Sequence, residues 1–252
     1  MKIRLVSWNI HKGFSPFNGR FVLDGIRELI RLSRADLVFL QEVQGEHTEK
    51  STTIEGWPTQ AQFEFLADQV WSHFTYGKKA IYPAGHHGNA ILSHFPIASW
   101  ENIDLSVSRL EKRGMLHARV VVPDTRIDFD LYCTHLNLFG GDRKIQVDRI
   151  TREIRMRSGA ERALILAGDF NDWRDQLQDT LEKKLGLREA FRTHRGALAR
   201  TFPSFAPILP LDRVYLRGFE VLATTRSDPP SPAVHSDHLP LEVDAYLRDP
   251  RS

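Results

Sequence analysis

Eight apolar runs of strand length, rich in β-branched residues, recur along the chain. They are IRLVSW (3–8), DLVFL (36–40), NAILS (89–93), MLHARVVV (115–122), IDFDLYC (127–133), ALILA (163–167), LDRVYL (211–216) and LPLEV (239–243). Each is too short for a buried helix, and turn residues or charges bound most of them, so they read as strands. Helical periodicity lies between some of them. Residues 22–34 place Val22, Ile26, Leu29 and Ile30 on one face, residues 59–71 place Phe63, Leu66 and Val70, and residues 142–157 place Val147, Ile150 and Ile154. Early strands alternate with helices and the middle runs strand after strand. The pattern predicts an α/β or α+β protein, a sheet core covered by helices.

With 252 residues, the chain suits one large domain with a substantial core. No fixed-period repeat interrupts it, and the Pro/Ser-rich DPPSPAV (228–234) reads as a surface loop because a strand follows. The expectation is a single domain over 1–252. No apolar run nears the roughly 20 residues that cross a bilayer, and the N-terminus lacks the h-region of a signal peptide. A cytoplasmic monomer is expected. The net charge of +2 permits an anionic substrate without demanding one. The single cysteine, Cys133, excludes an internal disulfide and reads as a small buried thiol.

The strand ends carry the chemistry. Asn9 follows the first run, and Gln41 and Glu42 the second. Thr134, His135 and Asn137 follow IDFDLYC, Asp169 and Asn171 follow ALILA, and His235, Ser236, Asp237 and His238 precede LPLEV. One polar strand end is ordinary. Five such ends gathered at one sheet edge build an oxygen-rich pocket with two imidazoles, where open sheets place their sites. Carboxylate and amide oxygens are hard ligands that suit Mg²⁺ or Mn²⁺, while no cysteine cluster or H-E-x-x-H helix supports zinc. Magnesium keeps room for phosphate oxygens, so the inventory points to phosphate-ester chemistry.

Seven segments, SWNI (7–10), LQEV (40–43), HGNAILS (87–93), THLN (134–137), AGDFND (167–172), LDRVY (211–215) and SDHLP (236–240), stand in the order found in the endonuclease/exonuclease/phosphatase (deoxyribonuclease I-like) superfamily. The chain resembles that family over nearly its whole length, and is most similar to a branch of small bacterial members of unassigned substrate. The resemblance implies a four-layer αββα sandwich of two mixed, mainly antiparallel sheets flanked by helices. It also implies a divalent-metal-dependent phosphoester hydrolase. By matching positions, Glu42 is the expected principal metal ligand, with Asn9 beside it and Asp237 as a further carboxylate. Asp169 is expected to deprotonate the attacking water, with Asn171 as its partner. His238, held by Asp212, is expected at the scissile phosphate, and His135 is the expected second histidine.

If GDFND stays extended, Asp169 and Asn171 point the same way and Phe170 the other. Arg113, Asn89 and Asn137 are candidate phosphate contacts. His86 and His87 read as a loop near the rim, the basic helix 142–157 as a solvated face, and Trp173 as packing. Asp172 and Trp173 receive no catalytic role. Two loops, 13–21 and 191–205, mix aromatics with arginine. Such loops can stack nucleic-acid bases, hold a phospholipid headgroup at a membrane interface, or simply anchor themselves. A phosphodiesterase, a phospholipid or phosphomonoester hydrolase on the same frame, and a catalytically inactive binding protein are therefore the readings in play.

Overall fold

The computed structural model describes residues 1–108, 111–125, 127–227 and 234–248. The expected loop at 228–234 falls, but for Val234, outside them. Two six-stranded sheets face each other. The first contains β1 (Lys2–Asn9), β2 (Leu37–His47), β3 (His73–Tyr82), β4 (Gly85–Ser93), β11 (Phe219–Arg226) and β12 (Leu241–Leu247), ordered β11-β12-β1-β2-β4-β3. The second contains β5 (Ile97–Asp104), β6 (Gly114–Val121), β7 (Asp128–His135), β8 (Leu164–Asp169), β9 (Arg188–Glu189) and β10 (Asp212–Arg217), ordered β5-β6-β7-β8-β10-β9. Only β1–β2 and β7–β8 pair in parallel, so both sheets are mixed and mainly antiparallel, as expected.

Three apolar layers follow from strand alternation. Ile3 and Leu5 of β1, Leu37 and Phe39 of β2, Leu131 and Cys133 of β7, and Ile165 and Ala167 of β8 fill the space between the sheets. Their neighbours face outward. Val6, Trp8, Val38 and Leu40 pack beneath α1 (Leu23–Ser33) and α3 (Gln62–Ala67). Tyr132, Leu164 and Leu166 pack beneath α4 (Gly140–Ser158) and α5 (Gln178–Leu185). Two smaller helices, α2 (Lys50–Thr53) and α6 (Ala190–Arg195), complete the layers. This is the αββα sandwich that the family resemblance implies.

Three expectations change. The helix read at 59–71 shortens to α3, because the backbone leaves helical geometry at Asp68 and the Trp71 indole donates to the Ala35 carbonyl at 2.9 Å. His86 and His87 lie within β4, paired on both sides, rather than in a loop. The basic face of α4 is not wholly solvated. Arg143 is buried, donates to the carbonyls of Asn137 and Leu138, and stacks over Trp173 at 4.8 Å.

Candidate active site

The same alternation that fills the inter-sheet core delivers the polar residues. Continuing each strand by two residues puts Asn9 after Leu5 and Ser7, His135 after Cys133, Asp169 after Ala167, and Asp212 before Val214, all on the inner face. Asn89 and Gly114 occupy the matching inner positions of β4 and β6. The site is thus the open end of the apolar core. Glu42 would break this parity, because Gln41 already points inward to the Cys133 sulfur at 3.3 Å. A bulge between Leu40 and Val43 and a left-handed φ of 54° at Glu42 re-aim its carboxylate. His11, Lys12 and Asn171 also hold positive φ. Non-glycine residues in this region are uncommon, and they gather here around one centre.

Asp169 is the hub. Its Oδ2 accepts from Asn9 Nδ2 at 3.1 Å and lies 3.5 Å from His135 Nε2 and 3.7 Å from His238 Nε2. The Asn171 backbone N–H donates to its Oδ1 at 3.0 Å. Behind His238, Nδ1 meets Asp212 Oδ2 at 2.8 Å, and the Thr201 hydroxyl donates to that same oxygen at 2.5 Å. All these side chains are buried. Toward the opening, Asn9 Nδ2 also donates to Glu42 Oε1 at 3.3 Å, and the Lys12 ammonium donates to Oε2 at 2.7 Å. Asn9 turns its own Oδ1 to the His11 N–H. As it stands, Asn9 bridges two carboxylates through its amide nitrogen.

Electrostatics separates the two imidazoles. Burial alone would depress His238, but Asp212 and Asp169 outweigh it and hold it up at about 10, so it is a cation at neutral pH. Burial, reinforced by Arg113, pushes His135 down to about 4, so it is neutral. Burial raises Asp169 above the usual carboxylate range. Burial opposes ionisation of Glu42 too, but His135 and Lys12 overcome it and hold it well below that range. Pairs pushed apart in this way mark acid and base assignments.

A small cavity opens beside Glu42 and His135, walled by His87, Asn89 and three cations, Lys79, Lys112 and Arg113. Asn89 Nδ2 donates to the carbonyls of Gly114 and Cys133, so it clamps the two sheets at the cavity floor. Arg113 shares its guanidinium with Glu111. Asp237 lies 3.9 Å from His11 Nδ1 and is more exposed than Asp169, Asp212 or Glu42. Among the described residues, Asp169, Asp212 and His238 place ligand atoms within 4.8 Å of one another. A protonated His238 with one nitrogen on Asp212 has no lone pair for a metal, so the Glu42 side of the site is the better cation position.

Two expectations part from this geometry. GDFND does not stay extended. The strand ends at Asp169, whose carbonyl accepts from Leu136 N–H, and Phe170 N–H bonds the Leu211 carbonyl. These pairings turn the chain, so the Asn171 amide donates to the Leu136 carbonyl at 2.9 Å. Phe170 still packs inside, edge-on to Tyr215. Asn137 does not reach the pocket. Its amide nitrogen donates to Asp142, its oxygen accepts from Gln146, and it is fully buried as a tether for α4. Asp172 caps the following turn through the Leu177 N–H. Cys133 is buried, as expected. The sequence reading passed over Lys12, Lys79, Lys112 and Thr201. Lys12 carried a signal, a cation three residues after Asn9, whereas Thr201 gave none.

Residues 6–238 match the model of the endonuclease/exonuclease/phosphatase family. The uncharacterized protein YbhP of Escherichia coli (strain K12) is 42% identical over 244 residues, 97% of this chain and 96% of that protein. The crystal structure of an endonuclease/exonuclease/phosphatase from Beutenbergia cavernae DSM 12333 superposes with a TM-score of 0.77 at 22% identity, covering 98% of this chain and 72% of that one. The human Nocturnin catalytic domain superposes with a TM-score of 0.74 at 21% identity, covering 98% and 94%.

Proposed function

Since this chain belongs to the endonuclease/exonuclease/phosphatase family, whose members hydrolyse phosphoester bonds and generally use divalent metals, we propose that it is a Mg²⁺- or Mn²⁺-dependent phosphodiesterase of one catalytic domain. The observation that carries this reading is the Asp169 carboxylate, set between a neutral and a cationic imidazole at 3.5 and 3.7 Å. The donor set suits a hard cation. Glu42 is ionised and already carries a cationic partner in Lys12, and no thiol faces the site. Glu42 would hold the metal, with Asp237 as the further carboxylate assigned by motif position. When bound, the ion supplies Lewis-acid stabilisation of charge on a phosphoryl oxygen.

The chain's own groups account for the rest. Asp169, whose affinity for a proton is raised by burial, accepts the proton of the attacking water. Asn171 fixes the carboxylate through its backbone N–H on Oδ1, so Oδ2 faces Asn9 and the two imidazoles. His238 holds a fixed positive charge toward the phosphate, backed by Asp212. His135, being neutral, donates a hydrogen bond to a phosphate oxygen and is not the source of a leaving-group proton. Arg113 offers a forked donor to the same group.

The test is turnover of bis-p-nitrophenyl phosphate under Mg²⁺ or Mn²⁺. Asp169→Asn and Glu42→Gln are each expected to lose roughly 10²–10⁴-fold in rate. Wild-type turnover in both variants, or no metal-stimulated turnover on diester and monoester panels, sinks the proposal. A phosphomonoesterase is the second reading, and the three cations walling the cavity favour it because a monoester is a dianion. Preference for p-nitrophenyl phosphate over the diester decides for it.

A further inference from the structure

The rim of the pocket carries apolar tips that the core does not use. The chain after β1 forms a short finger closed by the Phe14–Phe21 bridge, and its tip holds Phe17 at 85% exposure. A second finger, residues 201–211, is closed by the Phe202–Leu209 bridge. Its sequence, TFPSFAPILPL, has no charged residue, yet Phe205 and Ile208 stand 57% and 62% exposed. The two tips meet, with the Phe17 and Phe205 rings 6.0 Å apart. Phe17 also holds a φ of 63°, an uncommon conformation for an aromatic residue, with its ring still turned to solvent. Leu138 and Phe139, just past His135, add a further exposed pair.

Monomeric proteins rarely leave such contiguous apolar surface uncovered without a partner. Charge says which partner. Residues 10–21 contain exposed Arg20 and no acid, their Lys12 being paired with Glu42, and exposed Arg200 immediately precedes the second finger. Apolar tips on acid-free fingers, with Arg20 and Arg200 beside them in sequence, fit the boundary between anionic headgroups and acyl chains. Stacked nucleic-acid bases would need π faces, which Ile208, Ala206 and Leu138 lack. No helix among the described residues is long and apolar enough to span a bilayer, so any contact of this kind is peripheral.

We propose that the paired fingers form a membrane-docking surface, in which Phe17, Phe205 and Ile208 enter an anionic phospholipid bilayer and the pocket is presented to lipid-borne phosphate. That the pocket acts on lipid phosphate rests on the phosphoesterase reading; docking does not. The second finger is rooted in the centre itself. At its base, Thr201 bonds Asp212 and the Phe202 ring lies 5.0 Å from His238. Engagement of its tip therefore bears on the groups that hold the phosphate.

The test is cosedimentation of the full chain with sucrose-loaded phosphatidylcholine vesicles, with and without phosphatidylglycerol. Wild type is expected to bind the anionic vesicles more strongly, and Phe17→Ser/Phe205→Ser/Ile208→Ser to lose about tenfold or more in partitioning. An unchanged thermal midpoint in that variant shows that the loss is not unfolding. Glu42→Gln is expected to bind vesicles as wild type does, whatever the fate of the phosphoesterase reading. Absent vesicle binding by wild type, or undiminished binding by the triple variant, overturns docking. Binding to a single-stranded oligonucleotide in place of vesicles, or a dimer in sedimentation that the triple variant dissolves, also overturns it.

Discussion

Replacing Asp212 by asparagine removes a charge while keeping the shape of the side chain behind His238. In the native chain that imidazole is held at about 10 rather than 6.5. The difference corresponds to a net ~5 kcal/mol of preference for the charged ring, left after burial has opposed it, so Asp212 and Asp169 together supply more than that. Asp212 is the nearer, at 2.8 Å against 3.7 Å, and the one directly hydrogen-bonded. Assigning it about half gives at least ~2–3 kcal/mol, and the burial penalty remains, so His238 in Asp212→Asn should titrate no higher than pH ~8. Histidine NMR of the metal-free protein, with His238→Gln to assign the resonance, reads this directly. In turnover, the limb that falls as pH rises should move down by the same interval, because activity requires the cation. The rate loss should therefore be small in weakly acidic solution and grow steeply toward alkaline pH, where the variant's ring is neutral and the native one still charged. A wild-type His238 titrating near 6.5, or a variant resonance still titrating near 10, would refute the charge assignment.

Other consequences follow from the same geometry. Asp130 is held near 2: its burial opposes ionisation, but His117, Arg119 and Ser158 overcome it. A depressed carboxylate stabilises the fold above its unfolded value near 4 and loses that contribution as pH falls through about 2. The unfolding free energy read from denaturant titrations should therefore decline below pH ~4 by ~2 kcal/mol, less so in Asp130→Asn. A Cβ on Gly168 would lie 1.9 Å from the Thr134 carbonyl, at a φ of 148°. Gly168→Ala should cost ~3 kcal/mol or more and spread the strands that carry His135 and Asp169, so melting and turnover fall together. Burial raises the Cys133 thiol to about 12. Ellman's reagent should modify it only on unfolding, and fast labelling of the native chain would contradict its burial. Leu131→Ala, in the inter-sheet layer, should cost ~2–5 kcal/mol in urea unfolding.

Central strands were legible because both faces are buried, so apolar runs such as LILA and LVFL stand out against their surroundings. Strands β3, β5 and β11 were not, because they lie at or beside sheet edges and expose polar residues such as those of SWEN in β5. The short helices α5 and α6 were missed for want of length. At the site, Asn9, His135, Asp169 and Asp212 could be read because motif position coincides with strand parity. Asn171 and Asn137 could not be placed, since turns after β8 and β7 decide their partners through backbone carbonyls. Lys79 and Lys112 arrive from strand and loop positions that no local pattern links to Glu42.

The alternation that carries the hydrophobic core up to the pocket also acts as a reading frame. Deleting or inserting one residue inside β1, β7, β8 or β10 would hand its terminal polar side chain to the helix layer and leave an apolar one in the pocket. The lengths of those strands are therefore fixed by chemistry as well as by packing. The tips of the two fingers, around Phe17 and residues 205–208, lie outside that frame, while Thr201 and Phe202 at the base of the second are tied to Asp212 and His238. The tips can lengthen, shorten or change composition while every core position keeps its phase, so new specificity can arise in them without altering the strands that hold the catalytic groups.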